Sequence, residues 1–425
     1  MKVNKIEDFH QFSIANQFIK FTNCFLCLNS KILLDDLWIK DGIIQDSEQL
    51  FYVDKCVPDM IIDCQGAILS PGFIDIQING GYGYDFSDIS QELETSLKVV
   101  SKKLVKFGVT GFCPTLVVSK KEVYHEILSK TYNLPSENSQ NLGFHIEGPF
   151  LSDLKSGMHN QKLLKDFGPN PIEALHEIYG NCLENVRYIT LAPELLNSNQ
   201  AIKYLVSRGI SVSLGHSAAN FDEGVVAIDN GANMLTHIFC SMNPFHHRDP
   251  HLVGLLTYDR KIPGSSHVYY GIITDLVHTH PTAIKIAHRA NKDGLIIVTD
   301  ANPAFGLTDG FYHFGSRDIE VINEKSYVKS TNILAGGTTS LDQCMRNFWI
   351  SAGISRAEAV DSVTRHPAEA LKLNHCKGIL KPGFDADLVM LSYDSMEVLN
   401  TWIAGKLVYL NSKSDIKIIS CTNYN

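Results

Sequence analysis

No apolar run in this 425-residue chain approaches the roughly 20 residues that a membrane-spanning helix requires. The opening segment, MKVNKIEDFHQFSIANQF, carries Glu7 and Asp8 and lacks a continuous apolar stretch, so it does not read as an export signal. Cysteine is sparse, with ten residues, too few for a disulfide scaffold in a chain of this length. The single CxxC, Cys24 to Cys27, encloses Phe25 and Leu26 in an apolar, strand-like run, where core packing is a simpler reading than zinc or redox chemistry. A cytoplasmic chain with reduced thiols is therefore expected. Basic charge is also short: 37 Lys and Arg stand against 46 Asp and Glu, giving a formal net charge of −9. The global footprint of a nucleic-acid binder is missing, and neither nucleic acid nor membrane is expected as a partner. With 44% apolar and 20% charged residues the composition is ordinary for a globular protein, which excludes gross disorder and collagen-like or low-complexity architecture.

What is present is β structure at both ends and alternation between them. Residues 1–70 hold short strand patterns bounded by turns: FIKFTNCFLCLN, DLWIKDGIIQD and MIIDCQGAILSPG. Two more, KGILKPGFDADLVML and TWIAGKLVYL, occupy 376–415. The pattern predicts a small β-sandwich domain split between 1–70 and 376–415, with 416–425 as a C-terminal tail. Between its halves, 71–375 carries eight strand-like runs at 73–78, 109–117, 142–148, 186–194, 210–217, 233–239, 268–275 and 295–301. Helix-like stretches separate most of them, such as QELETSLKVVSKKLVKFG and NQAIKYLVSRG, the latter ending at Gly209 as a helix C-cap. Eight near-regular repeats favour a closed (β/α)8 TIM-type barrel, with a doubly wound open sheet as the alternative.

Active sites of such barrels lie at the C-terminal strand ends, so those residues are the ones to read. They are Gln77 and Asn79 after the first strand, Thr115 on the second, His145 and Glu147 on the third, and Glu194 on the fourth. His216 follows on the fifth, His237 on the sixth, Asp275 and His278 on the seventh, and Asp300 on the eighth. Any one of the 17 histidines is most simply a hydrogen-bonded core residue. That simple reading weakens where Glu147, His216 and His237 recur at equivalent positions of three strands, because one carboxylate and two imidazoles make a zinc set with room for water or substrate. Glu147 in the apolar frame HIEGPF is costly to bury without a cation or donor. Asp300, ending IIVTDA, is then a general base and afterwards an acid for water activated at the metal; alone it reads equally well as an Asx turn or helix cap.

In this order the residues resemble the amidohydrolase superfamily and, within it, the N-acetylglucosamine-6-phosphate deacetylases. The likeness runs through SPGFIDIQINGGYG (70–83), GVTGFCPTL (108–116), HIEGPF (145–150), TLAPE (190–194) and SLGHS (213–217). It continues through THIF (236–239), PFHHRDP (244–250), VTDA (298–301), HPAEAL (366–371) and KGILKPGFDADLV (377–389). The resemblance implies a metal-dependent release of acetate from N-acetylglucosamine 6-phosphate by a homodimer. Many amidohydrolases carry an HxH pair after the first strand. Here Gln77 and Asn79 stand in its place, and amides are poor zinc ligands, so the likeness implies one divalent ion per subunit on Glu147, His216 and His237. Zinc is the first candidate; iron, cobalt and manganese suit the same donors.

The same resemblance assigns His159 to polarising the acetyl carbonyl and Arg248 and His278 to the sugar phosphate, with Arg248 reaching across a subunit interface. Three departures accompany it. Cys240-Ser241-Met242 replaces an Asn-Ala-Met beside the substrate, His251 stands where relatives often have glycine, and AGGTTSLD (335–342) differs from the usual pattern. Two other readings fit much of the chain. One is an amidohydrolase for another N-acyl sugar or a cyclic amide, which would keep the metal and base residues without depending on Arg248 and His278. The other is a catalytically impaired sugar-phosphate binder.

Overall fold

The structure, a computed structural model, describes residues 3–4, 18–28, 30–259, 262, 265 and 267–421. Most of the opening segment that was read for an export signal lies outside the described residues.

Eight strands form the central barrel: Phe73–Ile78, Val109–Leu116, Phe144–Glu147, Val186–Leu191, Ser211–Leu214, Met234–Leu235, Tyr269–Ile272 and Leu295–Ile297. Each pairs in parallel with the next. FIDIQI and VTGFCPTL are buried at every residue, as expected for parallel strands covered on both faces. The eighth and first strands meet differently. A parallel bridge between Ile78 and Ala301 closes the ring at its top. Lower down, Ile74 donates to the carbonyl of Val363 at 2.8 Å and Ile297 to that of Ser362 at 3.0 Å, so the turn at 362–363 is wedged into the seam.

Helices coat the ring wherever apolar residues recur at helical spacing. In Leu93–Leu104 the buried set is Leu93, Ser96, Leu97, Val100, Ser101 and Leu104, one stripe facing the strands. The helix Ser198–Ser207 stops at Gly209, whose φ of +81° is open to glycine at little cost. Asn220 and Glu223 form a reciprocal capping box that starts Phe221–Asp229 just beyond His216.

Strands from both termini build one branched ten-stranded sheet. Ile68–Pro71 pairs antiparallel with Leu388–Leu391, joining the halves directly. The long strand Phe18–Leu28 is bent at Asn23 (φ +51°), so Ile19–Thr22 pairs with Met60–Asp63 while Phe25 and Leu26 pair with Ile68 and Leu69. That bend folds the sheet over its own core, which includes Phe21, Ile62, Leu388 and Trp402. The pattern reads 416–425 as a tail, but Lys417–Ser420 is a strand of this sheet, paired with Met60–Asp63. Four residues with two apolar side chains are too short a signal for sequence periodicity. A second element escapes the pattern: Gly310–Phe314, Arg317–Ile322 and Lys325–Val328 form a three-stranded antiparallel sheet after the eighth barrel strand. Its inner face packs Phe314, Ile319, Val321 and Val328 against Val117, Met158 and Ala304 at the barrel mouth.

Candidate active site

The barrel strands are shorter than the apolar runs in the sequence, because the chain leaves the ladder where chemistry begins. His216, His237 and Asp300 follow their strands in the left-handed region, at φ of +48°, +26° and +46°. Side chains with a Cβ occupy that region at a cost of order 1–3 kcal/mol each, a cost that persists when surrounding structure fixes the geometry. The turn after Glu147 is set by Gly148 at φ +82°, where a Cβ would meet Val118 Cγ2 at 2.7 Å and Leu151 Cδ1 at 2.8 Å.

These exits aim three donor atoms at one point. His237 Nε2 lies 3.0 Å from Glu147 Oε1, His216 Nε2 lies 3.4 Å from the same oxygen, and the two Nε2 atoms are 3.2 Å apart. A tetrahedral ion with bonds of 2.0–2.1 Å has donors about 3.3–3.4 Å apart, so the cluster fits such an ion with small adjustment. His216 Nδ1–H donates to the Lys155 carbonyl at 2.9 Å, the tautomer that turns the Nε2 lone pair toward the centre for a metal. Burial works against ionisation of Glu147, but without a metal the His216 and His237 rings, when protonated, donate to it, and these bonds and their charges outweigh burial and hold the carboxyl well below its usual range. His237 is lowered by burial and raised further by Glu147, ending above its ordinary value.

Asp300 stands beside this cluster, and the first-strand amides join them. Gln77 Nε2 donates to Glu147 Oε1 at 3.0 Å and to Asp300 Oδ1 at 3.3 Å, while Asn79 Nδ2 donates to Asp300 Oδ1 at 2.8 Å. The residues in the place of HxH therefore hold two carboxylates in register. Burial, then the charge of Glu147, raises Asp300 to about 6 against the opposing effects of His237, Asn79 and His278. His159 Nε2 is 3.8 Å from Glu147 Oε2, and its Nδ1 has no protein partner. Burial and the charge of His216 push it down to about 3, so it is a neutral N–H donor at ordinary pH.

These groups line a cavity of about 330 Å³ with Asn79, Cys240, Ser241 and His278. Val117, Met158, Phe314 and the segment Asn332–Leu334 form further wall. Among the described residues no Lys or Arg is in that lining, so Glu147 and Asp300 face the cavity without a permanent cation from them, a deficit that a divalent ion would meet.

The amidohydrolase family model matches residues 225–408. An N-acetylglucosamine-6-phosphate deacetylase of Danio rerio is 44% identical over 392 residues, spanning 92% of this chain and 96% of its own. This chain belongs to the N-acetylglucosamine-6-phosphate deacetylases. The crystal structure of that enzyme from Pasteurella multocida matches with a TM-score of 0.78 at 28% identity, over 93% of this chain and 100% of the other. An aspartate-to-alanine variant of the Mycobacterium smegmatis deacetylase, in complex with N-acetyl-D-glucosamine-6-phosphate, matches with a TM-score of 0.78 at 27% identity, over 93% and 99%. The deacetylase chain is thus a hydrolase of the amidohydrolase family, and its Glu147–His216–His237 cluster is a candidate divalent-metal site. No helix among the described residues is long and apolar enough to cross a membrane.

The remaining sequence candidates of the deacetylase fall in different places. His278 reaches the cavity with Nδ1 2.7 Å from Asp275 Oδ2, so Asp275 orients it. Arg248 does not line this cavity; it is exposed beside His246 and His247, with Nη1 3.2 Å from His247 Nε2. Glu194 lies outside the cavity and ties down the turn after His216, accepting from Ser217 Oγ at 2.7 Å and the Ala218 N–H at 2.6 Å. His145 is fully buried beneath the cluster, stacked on Tyr188 at 3.9 Å, with Nδ1 3.1 Å from Thr115 Oγ1 and Nε2 2.8 Å from Thr190 Oγ1. That chain continues from Thr190 to Thr236 at 2.8 Å and on to Ser213 at 2.6 Å. Thr115 is among the strand-end residues read from the sequence, whereas the hydroxyls of Thr190, Ser213 and Thr236, which look like ordinary strand residues, and the Phe314 and 332–334 wall escape it. The wall did carry a signal: Gly315-Ser316 and Asn323-Glu324 are two-residue turns between alternating runs, and Asn323 and Glu324 both have positive φ.

Proposed function

We infer that the chain hydrolyses the N-acetyl amide of N-acetylglucosamine 6-phosphate to glucosamine 6-phosphate and acetate, one amide C–N bond giving way to a C–O bond from water. The observation that carries this reading is the convergence, in one cavity, of three donors at tetrahedral spacing with a carboxylate held beside them by Gln77. Zinc suits this nitrogen and oxygen set, and iron, cobalt or manganese are accommodated by the same donors.

Glu147, His216 and His237 would hold a divalent ion, which when bound would supply Lewis acidity to bring the pKa of water toward neutrality and to polarise a carbonyl. Asp300 accepts the proton from the attacking water at Oδ1 or Oδ2 and returns it to the departing amine nitrogen. His159, neutral and with a free ring nitrogen, donates to the acetyl oxygen as negative charge develops there. Gln77 and Asn79 keep Asp300 in place while its charge changes. His278 and Ser241 provide polar contacts on the opposite wall, with Cys240 beside them.

A sugar phosphate brings negative charge into a cavity without Lys or Arg. Exposed Arg248 on a second copy of the chain is the cation that answers it, which makes a homodimer the working unit. Ten free cysteines suit a cytoplasmic enzyme.

The test is acetate release by purified, metal-loaded protein. N-acetylglucosamine 6-phosphate should be turned over far faster than the unphosphorylated sugar, and Arg248→Ala should raise KM for the phosphorylated form alone. Equal turnover of both sugars would reject the phosphate-specific reading, and absence of acetate release would reject the activity. Because Asp300 must be ionised to accept a proton, kcat/KM should fall as pH drops through its pKa. Its value of about 6 sets the upper bound of that acid limb, since a cation at the cluster lowers it. A limb well above that value would contradict the assignment.

A further inference from the structure

Asp75 is a buried carboxylate that the reaction does not use. It sits on the first strand, two residues before Gln77, where the barrel seam is open: below Ile78 and Ala301 the first and eighth strands bond to the wedged turn at 362–363. The first link across the seam above this wedge is made by side chains. Thr299 Oγ1 donates to Asp75 Oδ2 at 2.6 Å. The N–H groups of Gln77 and Thr299 each approach Asp75 Oδ1 at 3.4 Å, and the Ala301 N–H donates back to Thr299 Oγ1 at 3.2 Å. Asp300 lies between Thr299 and Ala301, its own N–H donating to the Gln77 carbonyl at 2.9 Å.

We propose that Asp75, through Thr299, is a positioning residue for the proton-transfer carboxylate: the pair clasps the open seam and holds Asp300 in its left-handed conformation, aimed at the cavity. The inference rests on the assignment of Asp300 as base. Three physical facts support it. A residue at φ +46° stays there only if neighbours determine it. Backbone bonds to Gln77, Asn79 and Gly337 hold Asp300 and Ala301, and the Thr299 hydroxyl adds the side-chain tie, accepting from the Ala301 N–H and donating to Asp75 at 2.6 Å and to the Gln77 carbonyl at 3.3 Å. Gln77, which holds the Asp300 side chain, turns its N–H toward the same carboxylate at 3.4 Å. The carboxylate is fully enclosed, with Thr299 as its one close donor, so the arrangement is specific.

The experiment uses the metal-loaded full chain with N-acetylglucosamine 6-phosphate. Thr299→Val removes the hydroxyl while keeping the shape, Thr299→Ser keeps the hydroxyl, and Asp75→Asn tests the acceptor. A displacement on the ångström scale is enough to cost about a hundredfold, so Thr299→Val should lower kcat by about ten- to a hundredfold. KM and metal content should stay near parental values, and Thr299→Ser should restore kcat. Introduced into Asp300→Asn, Thr299→Val should have no further effect on residual turnover, because it acts through the residue already changed. A folded, metal-loaded Thr299→Val enzyme with parental kcat would overturn the proposal, as would a loss fully accounted for by metal release. A fully active Asp300→Asn is a separate outcome: it removes the base assignment, and the clasp with it.

Discussion

On one side of the cavity floor Glu147, His216 and His237 stand above neutral groups, whereas on the other Asp300 stands above a carboxylate. The metal side rests on Thr115, His145, Thr190, Thr236 and Ser213, a hydrogen-bonded row across strands two to six. Burial lowers the His145 pKa to about 3, so this row adds no charge beneath the ligands. The base side rests on Asp75, a carboxyl that burial raises to about 7 and that takes the Thr299 hydroxyl proton in a hydrogen bond at 2.6 Å. The difference teaches what each side needs. Ligands that share an ion are drawn together by it and require orientation, which the Lys155 carbonyl gives His216 while the neutral row packs beneath without adding charge. A base in strained backbone has no ion of its own to hold it, and the short Thr299–Asp75 hydrogen bond across the seam supplies anchorage.

The largest break in this comparison is the loss of a ligand. His237→Ala should abolish both tight metal binding and acetate release while the chain stays folded; retained stoichiometric metal would show that the cluster is not the site. Below it comes the supporting row. Thr236→Val removes the hydroxyl that joins Thr190 to Ser213, one residue before His237, and should weaken metal affinity by no more than about tenfold, the low end for changes around a metal site, while leaving kcat at saturating metal near parental. The opposite pattern, normal affinity with a depressed kcat, would erase the distinction between the two sides. Smallest is a change outside both. His251 sits at φ +50°, ψ −155°, a conformation natural to glycine, so His251→Gly should raise stability by about 1 kcal/mol. Thermal melting would record that gain, and unaltered metal content and kcat would confirm that strain away from the cavity serves neither side.

Much of this arrangement is legible in the sequence because strand-end residues carry distinctive chemistry. Glu147, His216, His237 and Asp300 are recognisable as a set once eight repeats align their exits. The scaffold beneath is less legible: Thr190, Thr236 and Thr299 are ordinary β-formers until their hydroxyls are seen to meet in space. Asp75 within FIDIQI looks like an alternating polar residue although both faces of that strand are buried. Lys417–Ser420 is too short to announce itself as a strand, and Arg248 carries no local sign of how far it lies from the cavity of its own chain.

The most direct measurement is the single-turnover rate of acetate release by Asp300→Asn, paired with metal content determined on the same sample. The account predicts stoichiometric metal and a rate lower by about 10²–10⁴-fold, the range of a lost general base. A parental rate from the fully loaded variant would contradict it.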